Sequence, residues 1–86
     1  SDIVVREDIP RLDKTDKSRI ENIIHAKLAT FPDQFGKPLR HPHSGYWALR
    51  VGNYHIVYAI SRNIVRVIVI LSRDRVYEEL TKRLGR

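Results

Sequence analysis

The side chains able to do chemistry gather in the middle and at the end of this chain: Arg50, His55, Arg73 and Tyr77, with Lys37, Arg40, His41, His43 and Arg66 around them. Arg50 and His55 flank the turn pair Gly52-Asn53, between Tyr46-Trp47-Ala48-Leu49-Arg50-Val51 and Tyr54-His55-Ile56-Val57-Tyr58-Ala59-Ile60. A two-residue primed turn needs a positive φ, which glycine supplies, and it fixes the register of the hairpin. Arg50 then lies opposite His55, Ala48 opposite Val57 and Tyr46 opposite Ala59. Because side chains alternate, Trp47, Leu49, Val51, Tyr54, Ile56 and Tyr58 take the other face as a packed core. The first face becomes a shallow cationic floor, a guanidinium beside an imidazole over small neighbours, suited to a phosphate backbone.

The charge distribution agrees. The chain has a formal net charge of +6, yet no aspartate or glutamate occurs from Gln34 through Arg73, where Lys37, Arg40, Arg50, Arg62, Arg66 and Arg73 all fall. Most of the acids lie in the first quarter. A polyanion held on one side of the fold fits that polarity. With 86 residues the chain makes one domain, 1–86, with a modest core. It has no cysteine, so thiolate metal sites and disulfides are excluded and a cytoplasmic location is compatible. No apolar run reaches membrane-span length, and no secretion-signal pattern opens the chain.

The elements that must position these groups are legible from periodicity. Ile20, Ile23, Ile24, Leu28 and Phe31 recur at helical spacing after a cap at Asp16 or Ser18, and Pro32 ends that helix. Before it, Val5, Ile9 and Leu12 fit a short helix that Pro10 would kink. Residues Asp33 to Gly45 show no period and read as a loop that delivers His41 and His43 to the hairpin. Ile64 to Leu71 is apolar on both faces apart from Arg66, as a central strand is, and an Arg62-Asn63 turn sets Arg66 beside Ala59. Val76, Tyr77, Leu80 and Leu84 mark a short last helix ending at Gly85. The fold class is therefore α+β: two N-terminal helices packed on an antiparallel sheet, then a C-terminal helix. Three strands are visible, and a doubly covered Ile64–Leu71 strand wants a fourth as neighbour.

Gly36-Lys37-Pro38-Leu39, Ser44-Gly45-Tyr46-Trp47, Leu49 through Tyr58, and Arg73 with Val76-Tyr77-Glu78 resemble the RelE/ParE superfamily of bacterial toxins. The likeness runs through nearly the whole chain in the same element order. In that family a strand precedes the first helix, so the resemblance implies a missing amino-terminal strand ahead of the Ser1-Asp2 junction. It also implies a toxin of a type II toxin–antitoxin pair, in the RelE-like branch a ribosome-dependent endoribonuclease that inhibits translation by cutting messenger RNA. That reaction uses no metal and no cofactor: the substrate's 2′-hydroxyl attacks the adjacent phosphate, and cations stabilise the phosphorane. Arg50, Arg73 and Tyr77 stand at functional family positions, whereas His55 replaces a usual arginine. Tyr46 and Ala48 replace two usual bases, which leaves His55, His41 or His43 as the base. The resemblance implies as partners an acidic antitoxin and the ribosome with its message.

Other readings stand beside this one. A ParE-like protein would poison DNA gyrase, and a catalytically silent module would only bind nucleic acid or antitoxin. Arg50 can serve simply as a solubilising strand charge, His55 as a cross-strand partner and Tyr77 as core. His41 and His43 can simply face water.

Overall fold

The computed structural model describes residues 3–85. A π-helical turn, Val4–Asp8, runs into α1, Ile9–Arg11. The wide turn answers the proline: Ile9 N–H reaches back to the Val4 carbonyl, and Pro10, which has no amide to donate, follows it in the first turn of α1. Helix α2, Lys14–Ile23, continues as a second π-turn, Ile24–Leu28. Its cap is Asp13, whose carboxylate accepts the Asp16 amide at 2.8 Å, and not Asp16 or Ser18. Phe31 lies beyond this helix and is exposed.

The expected loop 33–45 is partly ordered. Pro32–Phe35 forms a short helix, α3, and Lys37–Pro38 forms a strand, β1. The hairpin follows as β2, Trp47–Val51, and β3, Tyr54–Ser61; then come β4, Ile64–Ser72, and the last helix, α4, Val76–Gly85. The sheet is antiparallel throughout, in the order β1-β2-β3-β4. The fourth strand is thus present, not missing: the segment after α3 turns back and pairs Lys37 with Ala48 and Pro38 with Trp47. The expectation placed at Ser1-Asp2 lies outside the described residues.

The hairpin register is as the alternation requires, with Arg50 opposite His55 and Ala48 opposite Val57. Gly52 has φ +60°, and Arg62 and Asn63 adopt φ values of 50° and 67°, which sets Arg66 opposite Ala59. The strand β4 is apolar on both sides for a different reason from the one expected. It lies at the margin of the sheet among the described residues, and helices cover both of its faces. A bulge at Ile68 divides its contacts: Val65, Val67 and Ile70 join the core under α1 and α2, while Val69 and Leu71 join Val57, Val76 and Leu80 under α4. Val57 is therefore fully buried, and the face expected to be an open floor is covered at its middle by a second small core.

One ion pair ties the layers together. Asp8 is fully buried, and Arg83 of α4 grips it through two bonds, Nη2 to Oδ1 at 2.8 Å and Nη1 to Oδ2 at 2.9 Å. The same carboxylate accepts the Ile70 amide at 2.9 Å, and Arg83 Nη1 donates to the Ile68 carbonyl at 2.7 Å. Its Nε donates to Glu79 at 3.0 Å. These acids hold the guanidinium pKa above its ordinary value. Removing the carboxylate strands a buried cation and an edge amide. Asp8→Ala should cost about 3 kcal/mol, the low end for a broken buried pair because Glu79 stays in place. Urea unfolding should report this as a lower midpoint at unchanged slope.

Candidate active site

Four of the candidates, Arg50, His55, Arg73 and Tyr77, gather around His55 from three segments. The hairpin carries Arg50 and His55 side by side on adjacent strands. The turn after β4 supplies Arg73, whose amide donates to the Asn53 carbonyl at 3.0 Å and so docks that turn against the hairpin end. Arg73 thus belongs to a turn stapled to the hairpin, ahead of the first turn of α4. Tyr77 comes from the first turn of α4, one residue after the buried anchor Val76.

The contacts centre on His55 and Tyr77. The Tyr77 hydroxyl lies 3.3 Å from His55 Nδ1, and the two rings meet edge to face with centroids 5.8 Å apart. On the other side of Tyr77, His43 stacks at 6.0 Å and its Nε2 lies 3.0 Å from the Thr81 hydroxyl. Thr81 itself donates to the Tyr77 carbonyl at 3.0 Å, so loop and helix hold the phenol ring jointly. Arg50 donates from Nε to the Gly52 carbonyl at 3.1 Å and keeps its remaining guanidinium donors exposed.

Electrostatics set the protonation states. Burial, reinforced by the Arg50 and then the Arg73 cation, holds His55 below its ordinary value of 6.5. Burial also pushes the Tyr77 phenol up from 10. Near neutral pH the site therefore holds a neutral imidazole, a neutral phenol and two guanidinium cations. That combination can bind phosphate through arginine and move a proton through histidine.

Beside this cluster opens a cleft of about 540 Å³ whose lining includes Phe35, Lys37, Arg40, Arg50, His55 and Tyr77. The sequence candidates divide accordingly. Lys37 and Arg40 line the cleft, and His43 supports Tyr77 from behind. His41 is exposed in the loop and does not line it. Arg66 pairs with Ala59 at the far end of β3 and β4 from His55, in a separate depression with Ser61, Arg62 and Ile64. Phe35 and Thr81 were not among the candidates. A short helix closing on Gly36 was the available signal for Phe35, and it was hidden by the aperiodic composition of 33–45. Among the described residues, no group of three or more histidine, aspartate or glutamate side chains is placed to hold a metal ion. No helix there is long and apolar enough to cross a membrane.

This α+β fold, with a cationic cleft beside a capping helix, is one found among bacterial toxins of type II toxin–antitoxin systems. A family model for the ParE toxin of such systems, parDE, matches residues 4–77, and the chain belongs to that family. Among solved structures, the chain is similar to a chain of the RelBE2 toxin–antitoxin complex from Mycobacterium tuberculosis. The two are 26% identical with a TM-score of 0.73, over 79% of this chain and 80% of that one. No curated protein sequence matches significantly.

An NMR titration of His55 reads out the neighbouring charges directly. The midpoint should lie below 6.5. Arg50→Ala and Arg73→Ala should each raise it, without restoring the ordinary value, because burial is the largest cause and persists. A midpoint unmoved in both variants would separate the arginines from the imidazole.

Proposed function

We propose that this toxin is an endoribonuclease that cleaves messenger RNA at the ribosome, and that a cognate acidic antitoxin neutralises it by covering the cationic side. The observation that carries the reading is that Arg50, His55 and Tyr77 line one open, acid-free cleft, with Arg73, off that lining, near enough for its charge to act on His55. Lys37 and Arg40 hold the RNA backbone at the cleft wall. Arg50 and Arg73 offset the charge that accumulates on the phosphate as the 2′-hydroxyl adds to it. His55, neutral because of its surroundings, accepts the proton of that hydroxyl at Nε2 while its Nδ1–H is held by the Tyr77 oxygen. The bond to the 5′-oxygen then breaks, leaving a 2′,3′-cyclic phosphate and a 5′-hydroxyl end protonated from solvent. The M. tuberculosis relative is a toxin–antitoxin complex, which supports the antitoxin partner.

A second reading is a gyrase inhibitor that cuts no RNA. The match to a ParE description and the presence of Tyr46 and Ala48 where RelE-like enzymes carry bases favour it.

Purified protein added to translating ribosomes should create new 5′-hydroxyl ends within the message and leave gyrase supercoiling intact. The opposite pattern would replace the first reading with the second. Cleavage should fall as pH drops through the lowered His55 pKa, since protonation removes the base, and level off above about 6.5. Expressed without a partner, Arg50→Ala and Arg73→Ala should each relieve growth arrest while folding normally. Unchanged toxicity in both would dismiss the site assignment.

A further inference from the structure

Phe35 is an exposed aromatic ring, 41% accessible, on the lining of a cleft that also carries Lys37, Arg40 and Arg50. Its position is tightly fixed. The fully buried Tyr58 donates from its hydroxyl to the Pro32 carbonyl at 2.6 Å and packs closely against Gly36, so a core residue brackets α3 at both ends. Gly36 can have no side chain: an added Cβ would overlap the Tyr58 hydroxyl and come within 3.1 Å of the Ala48 carbonyl. Lys27 places its ammonium over the Phe35 ring, 5.1 Å from the centroid. The fold thus clamps a four-residue helix from inside and presents its last side chain, a phenyl ring, to solvent at the cleft. The core gains little from that ring.

We propose that Phe35 is a stacking platform for a base of single-stranded RNA lying in the cleft. The assignment rests on the RNA-directed reading above and deepens it. Lys37, Arg40 and Arg50 supply the positive charge that tracks a phosphate backbone, and a phenyl face set among them supplies what cations lack, an apolar plane that accepts any base. The alternation of cations with an aromatic ring is how sequence-tolerant single-strand sites are built. With Arg50 and His55 on the same lining, a base on Phe35 locates the strand relative to the reacting phosphate.

The test uses the full chain and short single-stranded 2′-O-methyl RNAs, which cannot be cleaved by their own hydroxyl, each carrying 2-aminopurine at a different position. Binding should quench one position selectively. Phe35→Ala should weaken binding by at least about fivefold, the low end for one base–aromatic stack, and abolish that quench. Phe35→Tyr should keep both, whereas Phe35→Leu, apolar without a π-face, should lose the quench. Arg50→Ala should weaken binding while leaving the quench of the bound form. If Phe35→Ala binds and quenches like the parent while Arg50→Ala binds less, the platform is overturned and the cleft reading stands. If the parent binds none of the oligonucleotides, both are overturned.

Discussion

A carboxylate with no solvent contact has to be paired, and in this protein that demand organises the molecule. Asp8 lies in the first helical segment, Arg83 in the last helix, and the backbone groups they satisfy, Ile70 N–H and Ile68 C=O, belong to the marginal strand of the sheet. The bulge at Ile68 shifts the alternation so that one strand can feed both cores. Desolvating the pair is costly, and the hydrogen bonds that Asp8 and Arg83 make offset that cost only if the three elements stand where they do. Helix α4 is held by this node at its end and by Val76 and Leu80 along its length. Tyr77 projects from a helix so placed, and through Tyr77 the orientation of His55 follows.

A second buried polar group does the corresponding work on the opposite side of the cleft. The Tyr58 hydroxyl holds Pro32 and packs against Gly36, and so fixes the turn that sends Lys37–Pro38 alongside β2. The cleft therefore has one wall set by the Asp8–Arg83 pair and another set by Tyr58. Neither interaction touches the cleft chemistry, yet each fixes an element that carries it. The cationic groups themselves stay largely exposed, where solvation keeps their mutual repulsion tolerable and leaves their donors available.

The imidazole at position 55 gives the site its electrostatic character. An arginine there would be charged at every pH and would clamp phosphate. A histidine there, partly buried and near Arg50 and Arg73, is instead held below its ordinary value, and in the proposed mechanism that leaves it free to take a proton. Family membership fixes the toxin class.

Composition and alternation alone determined the hairpin register, the α4 stripe, the two main helices and the acid-free stretch, because each follows from contacts between near neighbours in the chain. They also placed Arg50 beside His55, since the Gly52-Asn53 turn permits only that pairing. The tertiary structure decided the rest. That β4 sits at the margin and β1 completes the sheet, that Val57 lies under α4, that Asp8 meets Arg83, and that Phe35 reaches the cleft while Arg66 does not all depend on distant segments meeting. Periodicity reports which way a side chain faces within its own element, whereas burial of a charge or closure of a cleft is a property of the elements that pack against it.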